Sequence, residues 1–405
     1  MNSTSSHYVC VGIRHHQEVE PQPMVMSEVM VTLRGWHLAL AHAELQALLP
    51  TMTVTSTPSK RWYAVEGPMS VEGIKRALEP AANVESILSY ATIVEWNGSY
   101  EGVMDIFQTS LQQDINGTVS TYTWRHGKKI DGCSLSSLSK MCGGALVEFG
   151  NNIDLEQADQ TFGLCSDAAS SCILAGWFVG STPSAFGAER RQATERPFFK
   201  PVSLDPRLAR TAINIACGPI STNIVLDPMT GTGGFIIEAS LSKRNGVGLD
   251  HNSAMIEGAQ SNLKWAHDGE DSPTCVLLRG DATALGTFLP QHYHGHIAGI
   301  VLDPPYGRNS QGSYQPLELL EKTLMSAKDV LAKTAGMVLI LPIHPMTVFE
   351  ESGFHHDEIK PLHGTFSEVQ RMLSVCGWTI EAMFTERVHK SLTRLVVHAK
   401  FVLLN

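Results

Sequence analysis

The chain has 405 residues, too many for one ordinary core, so two or three domains are expected. Hydrophobic residues make up 43% of it with no uninterrupted apolar run of membrane length, which excludes a membrane span and favours a globular protein. The formal net charge of −10 excludes indiscriminate nucleic-acid binding but leaves room for a local basic face.

Residues 1–24 are a polar extension that lacks the basic-then-apolar order of a signal peptide, so a cytoplasmic protein is expected. A strand over 25–33, a break at Gly35 and a helix over 37–49 follow, with Leu38, Ala41, Leu45, Leu48 and Leu49 on one helical face. A strand over 62–66, a helix over 71–78 and a strand over 86–96 complete a small α+β unit, 25–96, in which no chemistry is visible. A second unit, 97–180, starts after Asn97-Gly98. It reads as a helix over 100–113, a strand over 119–124, a basic turn carrying Arg125, Lys128 and Lys129, a helix over 135–149, and strands over 161–165 and 172–178. Gly143 and Gly144 lie inside that helix at roughly 1 kcal/mol each relative to alanine. They read either as a close approach by a neighbouring backbone or RNA, or as a tolerated weak spot.

Residues 181–200 have the composition of a linker and carry Arg190, Arg191 and Arg196. Asp205-Pro206 then opens a helix, Asp as cap and Pro in the first turn. Beyond 223, strands at 224–226, 247–249, 275–278, 297–302 and 337–341 alternate with helices at 234–242, 253–267, 317–331 and 366–376. That is the pattern of an α/β, doubly wound, Rossmann-like sheet over 201–405. Two last strands, 378–385 and 395–403, are too close together for a helical crossover and are expected to pair antiparallel, making seven strands.

Three basic groups stand out: the 125–129 turn; Arg190, Arg191, Arg196, Lys200, Arg207 and Arg210; and Arg387, His389, Lys390 and Arg394. Each reads singly as a solvated surface and together as a composite phosphate-binding face. The eight cysteines include no CxxC pair and mostly sit in apolar segments, so neither metal nor disulfides are expected.

Chemistry concentrates in two stretches. Asp303-Pro304-Pro305-Tyr306-Gly307 ends an apolar strand abruptly, because proline lacks an N–H and bars a helical residue before it. A carboxylate and the Pro304 carbonyl at a strand tip form an acceptor-only clamp suited to an –NH2 group, and Tyr306 offers a face for a flat base. Such a clamp draws an amine towards tetrahedral geometry and frees its lone pair. The plain alternative is a strand with a rigid Pro-Pro turn.

The second stretch, Asp227-Pro228-Met229-Thr230-Gly231-Thr232-Gly233-Gly234, follows the first strand and opens a helix. Position 236 is Ile, so the third glycine of the dinucleotide pattern is missing, and no Gly-Lys-Ser/Thr of a phosphate loop is present. Asp250 and Asp281 end the next two strands; singly each reads as a helix cap, jointly with Asp227 and Asp303 as acceptors for ribose, an adenine amine and an ammonium. S-adenosylmethionine fits those acceptors better than NAD.

These stretches resemble the S-adenosylmethionine loop and the (Asp/Asn)-Pro-Pro-(Tyr/Phe) motif of amino-methyltransferases. Arg196-Pro197-Phe198-Phe199, the 203–210 segment Ser-Leu-Asp-Pro-Arg-Leu-Ala-Arg, and His389-Lys390-Ser391-Leu392-Thr393-Arg394 resemble the archaeal THUMP-containing tRNA guanosine-10 N2-methyltransferases. Ala43-Glu44-Leu45 and Gly143-Gly144-Ala145-Leu146 resemble their N-terminal part. The resemblance runs from about residue 25 to the end. It implies a ferredoxin-like domain (25–96), a THUMP domain (97–180) that binds tRNA, and a methyltransferase domain (201–405). It implies that Asp303, Pro304, Pro305 and Tyr306 hold the guanine N2. Asp227, Pro228, Thr230, Gly231, Gly233, Asp250, Asp281 and Ala282 would hold S-adenosylmethionine, with Phe198 or Phe199 closing over it. Arg125, Lys128, Lys129, Arg190, Arg191 and Arg394 are the candidate RNA contacts. The expected partner is tRNA, with a small activator subunit as a further candidate, no membrane, and a monomer. The rivals are a related enzyme on an rRNA guanine or a DNA adenine, and an RNA-binding scaffold with an inactive domain.

Overall fold

The structure is a computed structural model that describes residues 25–180, 192–200, 204–220, 224–272, 274–305, 315–346 and 358–402. Tyr306, Arg190, Arg191 and the 1–24 extension lie outside the described residues. Contacts divide the chain into a smaller unit centred on Thr92–Ala175 and a larger one made of Ser27–Ala91 and Gly176–Asn405. The division falls inside three strands, β1, β4 and β8 below.

The N-terminal elements are β1 (Val25–Leu33), α1 (Leu38–Leu48), β2 (Thr53–Ser56), β3 (Trp62–Glu66), α2 (Val71–Leu78) and β4 (Val84–Glu95). Strand β2 is one the sequence pattern missed: Thr53-Val54-Thr55-Ser56 is mostly exposed and owes its place to antiparallel register with β3. Helix α1 begins at His37, whose Nδ1 accepts from the Leu40 N–H, and it buries Leu40, Ala41, Glu44, Leu45 and Leu48. In the smaller unit come α3 (Tyr100–Leu111), β5 (Thr118–His126), α4 (Leu135–Glu148), β6 (Asn152–Ile153), β7 (Gln160–Asp167) and β8 (Cys172–Phe178). Its strands run in the order β8-β7-β5-β6, and β5 pairs parallel with both neighbours. Ser99 and Ser134 cap α3 and α4 by accepting from N–H groups three residues on. Helix α4 passes through Gly143 and Gly144 unbroken, with nothing within 4 Å of where their Cβ atoms would lie, so no neighbouring backbone explains them among the described residues.

The rest of the larger unit alternates as expected. It contains α5 (Pro206–Cys217), β9 (Ile224–Asp227), α6 (Gly234–Leu241), β10 (Asn245–Asp250), α7 (Ser253–Ala266), β11 (Cys275–Arg279) and α8 (Leu285–Phe288). Then follow β12 (Ile297–Leu302), α9 (Pro316–Ala327), β13 (Leu331–Ile343), α10 (Phe366–Val375), β14 (Trp378–His389) and β15 (Leu392–Phe401). The seven strands run β11-β10-β9-β12-β13-β15-β14. Strands β9 to β13 are mutually parallel, and β15 is antiparallel to both of its neighbours, so the final hairpin inserts its second strand next to β13.

Alternate residues of these strands supply two separate cores, as expected for a sheet covered on both faces. Val225, Val301, Val338, Ile340 and Val396 pack with α5 and α6, and Leu40 of α1 joins them. Leu226, Leu249, Ile300, Leu302, Leu339 and Leu341 face the opposite layer of α9 and α10. Helix α5 is buried nearly all round, because α1 covers the side turned away from the sheet. At that junction Glu44 is fully buried. It accepts from the N–H groups of Ala82 and Asn83 (2.9 Å each), from Asn83 Nδ2 (2.9 Å) and from Asn214 Nδ2 of α5 (2.7 Å). No helix among the described residues is long and apolar enough to cross a membrane.

Candidate active site

Strand order reverses between β9 and β12, and an open α/β sheet leaves its ligand crevice above the carboxyl ends at such a point. Asp227 is the last residue of β9 and Asp303 the first after β12. In this sheet both occupy the face of Val225 and Val301, the one covered by α5 and α6. They line one open cavity of about 130 Å3, together with Met229, Thr230, Gly231, Thr232 and Gly234 of the glycine loop, Phe235, Met255, Lys200 and Leu204.

The loop is built from backbone geometry. Gly231 and Gly233 adopt φ of +50° and +83°, in the left-handed region that favours glycine. A Cβ on Gly233 would come within 3.1 Å of the Ala259 Cβ, so the turn also depends on close packing against α7. The Gly231 N–H donates to Asp250 Oδ2 (3.1 Å), while Asp250 Oδ1 accepts from the Asn252 N–H (2.9 Å). Asp250 therefore fixes the loop from β10 with one oxygen and the start of α7 with the other. Gly248, in register with Asp227, would place a Cβ 2.8 Å from Thr230 Oγ1. The loop rests directly on that glycine.

A strap crosses beside the loop. The Phe198 N–H donates to Asn262 Oδ1 (2.8 Å), and Asn262 Nδ2 donates to the carbonyls of Phe198 (2.8 Å) and Thr232 (2.9 Å). One buried amide of α7 thus ties strap and loop together. Phe198 lies over Gly258, Lys200 Nζ sits 5.3 Å from the Phe198 ring centroid, and Lys200 reaches the cavity wall. Arg196 and Arg210 are about 5% and 4% exposed, and Arg210 pairs with the fully buried Glu238 of α6 at 2.9 Å. These two arginines are interior struts. The composite phosphate-binding face loses them, because their partner lies in a helix the basic clustering could not reveal.

Burial dominates the electrostatics. The Asp227 carboxyl is pushed up to about 8, chiefly by loss of water and further by Asp250 and Asp303, against the Met229 N–H that donates to it at 3.2 Å. Asp303 is pushed up to about 6 by burial; Arg394 pulls it down and Glu386 pushes it up. Arg394 pairs with Glu386 at 3.2 Å, and the two side chains are only 17% and 14% exposed. Arg394, one of the candidate RNA contacts, thus stands half-buried directly across from Glu386 in the β14–β15 ladder.

The remaining candidates divide. Pro304 is buried beside Asp303, and Pro305 is exposed. Pro228 is buried behind the loop. Asp281 accepts from both the N–H and the Oγ1 of Thr283 at 2.8 Å, the helix-cap reading, and neither it nor Ala282 lines the cavity. Phe199 is 42% exposed and away from the lining. Arg125, Lys128 and Lys129 are exposed on the smaller unit. Residues the sequence did not single out for this site are Leu204, Met229, Phe235, Met255, Asn262 and Glu386. The apolar ones carried no signal beyond core periodicity.

A family model described as "RMKL-like, methyltransferase domain" matches residues 193–352. The chain is 30% identical over 221 residues to the "tRNA (guanine(10)-N2)-dimethyltransferase" of Pyrococcus abyssi, covering 54% of this chain and 63% of that protein. It is 28% identical over 202 residues to the protein of the same name from Methanothermobacter thermautotrophicus, covering 50% of each. The match to the "Probable tRNA (guanine(10)-N2)-dimethyltransferase" of Methanothermococcus thermolithotrophicus is 31% over 116 residues, 29% of this chain and 68% of that one. The chain thus covers less than two thirds of the length of the first two relatives. Among solved structures, that of TrmN from Thermus thermophilus aligns over 92% of this chain and 99% of that one at 16% identity, with a TM-score of 0.45.

Proposed function

The chain belongs to the family of the tRNA (guanine(10)-N2)-dimethyltransferases, and from that premise we propose that it methylates the exocyclic N2 amine of a guanosine in tRNA, position 10 by the relatives' names. The observation that carries the proposal is Asp303: a carboxylate at the strand-order reversal, pushed up to about 6, on the same cavity as the glycine loop. The cofactor assigned to that cavity is S-adenosylmethionine, and the residues fit it. Asp250, at the end of β10 and bonded to the loop at the Gly231 N–H, is assigned the ribose hydroxyls, and the deeply buried Asp227 supplies a carboxyl that a cationic ligand would ionise. Phe198 and Lys200 close the side.

Bound there, S-adenosylmethionine supplies an electrophilic methyl carbon on a sulfonium. Asp303 and the Pro304 carbonyl accept the two N2 hydrogens and hold the nitrogen lone pair on the line of attack. Asp303 would take the proton that N2 sheds once the methyl group is on nitrogen, the thioether of the spent cofactor being the leaving group. A guanine must leave its stack to reach a carboxylate at this depth. Tyr306 is assigned the stacking face.

Residues 25–96 are assigned as a ferredoxin-like domain and 97–180 as a THUMP domain that docks tRNA, with Arg125, Lys128 and Lys129 among its phosphate contacts. The working form is a cytoplasmic monomer, with a small activator subunit as an optional partner. The test uses unmodified tRNA transcripts, labelled S-adenosylmethionine and nucleoside analysis, with Asp303→Ala alongside. N2-methyl- or N2,N2-dimethylguanosine at one position, lost in Asp303→Ala, is expected. Transfer to rRNA fragments or DNA instead of tRNA would overturn the substrate and keep the clamp.

A further inference from the structure

Beyond Asp303, the same face of the sheet continues as a row of charged side chains. One step past the Leu302–Leu339 pair, Asp303 stands beside Ile340, which pairs with Val396; Arg394 lies two residues from Val396 and directly opposite Glu386. Positions two apart in a strand return to one face, so Asp303, Arg394 and Glu386 share it, two and three strands apart at about 4.8 Å each. The Arg394 side chain is long enough to bridge that gap. Glu386 takes one of its N–H groups at 3.2 Å, which fixes the guanidinium in a site only 17% exposed.

The strand carrying Glu386 is itself held from the N-terminal segment. His37 Nδ1 accepts from the Leu40 N–H, so the ring proton sits on Nε2 and donates to the Thr385 carbonyl at 3.1 Å. The His37 ring also meets Phe384 edge-on at 6.5 Å. The Phe384 ring and the Thr385 carbonyl of β14 are thereby located before any substrate arrives.

We propose that Arg394, oriented by Glu386, is a positioning residue that sets the charge state of Asp303 and so opens the amine clamp to substrate at neutral pH. The inference rests on the amine-methyltransferase reading of Asp303. The charged groups that bear on the site are Asp227 from β9, Lys200 from the strap, and Arg394 and Glu386 from the hairpin; Asp205 and His37 bear on Glu386. Among these Arg394 lowers Asp303 and Glu386 raises it, so the pair works in opposite directions on one carboxyl. A protonated Asp303 presents an O–H where the clamp needs an acceptor.

The sign follows for each variant. Arg394→Met leaves Asp303 facing Glu386 alone and moves its titration upward; Glu386→Gln removes a negative neighbour and moves it downward. The double variant falls between them, and Arg394→Lys restores much of the wild-type value. Two readouts are taken on the full chain: the 13C carboxyl titration of Asp303, assigned with Asp303→Asn, and the pH profile of kcat/KM on tRNA. For Arg394→Met, a roughly tenfold loss near about pH 6 that largely recovers near about pH 8.5 is expected. Shifts in the same direction for both single variants, or none, would overturn the proposal and leave the pair a structural strut. A wild type silent on tRNA but with carboxyl titrations moving as stated would sink the functional reading alone.

Discussion

Glu44, fully buried, and Asp303, half-buried at the cavity, are both carboxyls raised above the ordinary range by loss of water, yet they serve different ends. Four N–H groups at 2.7–2.9 Å fill the lone pairs of Glu44, from the turn after α2 and from Asn214 of α5. It has become part of the packing between α1 and the helix α5 that covers the seven-stranded sheet. Asp303 instead faces a cavity, and its strongest charged neighbour is an arginine shared with Glu386. A raised pKa is common to both. What separates glue from chemistry is whether the chain itself saturates the acceptor.

The comparison is sharpest if the two carboxyls are removed in turn. Asp303→Ala is expected to lower single-turnover methyl transfer about 10³-fold or more while cofactor affinity changes little, since the clamp acts on the amine. Calorimetry and a labelled-methyl assay separate the two effects. Loss of affinity equal to the loss of rate would move Asp303 into the cofactor site. Glu44→Ala should do the reverse: stability in urea falls by about 3–5 kcal/mol, because four buried donors lose their acceptor, while the surviving folded protein keeps its transfer rate. Glu44→Gln, which keeps one acceptor oxygen, should lose about half as much.

Much of this was legible in the residues, and for a nameable reason. Strand β12 falls at 297–302 as expected, because a short apolar run closed by Pro304-Pro305 can be little else. Helix α5 begins at Asp205-Pro206 for an equally local cause: the Asp205 carboxyl accepts from the Arg207 N–H at 2.7 Å. Strand β13 begins at Leu331, six residues before the expected start: Leu331 pairs with Ile297 ahead of a register shift, and Ala332-Lys333-Thr334 between it and the regular ladder carries no strand pattern. The site divides along the same line. Asp227, Gly231 and Asp303 are marked by strand-end position, a local signal. Glu386 opposite Arg394, and Glu238 beneath Arg210, depend on ladder register and helix docking, which no linear spacing encodes.

Asp227 offers a test through pH. Its folded value of about 8 lies above an unfolded value of about 3.9, so folding takes up a proton between them. The stability this contributes is fully present below the unfolded value and is lost as pH rises through the folded one. Wild-type protein should therefore lose stability from about pH 4 to about pH 8 relative to Asp227→Asn, in which that slope disappears. Parallel curves for the two proteins would mean that Asp227 is ionised when folded. A second consequence is proton release: if a cationic donor ionises Asp227, binding near about pH 7 should liberate protons, read as a dependence of binding heat on buffer ionisation enthalpy.

The smallest effect asks how far the cavity depends on its strap. Asn262 holds the Phe198 N–H and carbonyl as well as the Thr232 carbonyl, all within 2.8–2.9 Å, so a single amide sets the distance between strap and glycine loop. Removing it in Asn262→Ala leaves one buried N–H and two buried carbonyls to find water, at about 1–3 kcal/mol of stability. If the strap works as a wall, Phe198 and Lys200 lose their register with the cavity and cofactor affinity falls by about tenfold, while the transfer rate at saturating cofactor stays near wild type. The clamp on the other side of the cavity is untouched. Should the rate at saturation fall instead, the strap would be coupled to Asp303 as well, and the separation between a cofactor half and an amine half of the crevice would have to be redrawn.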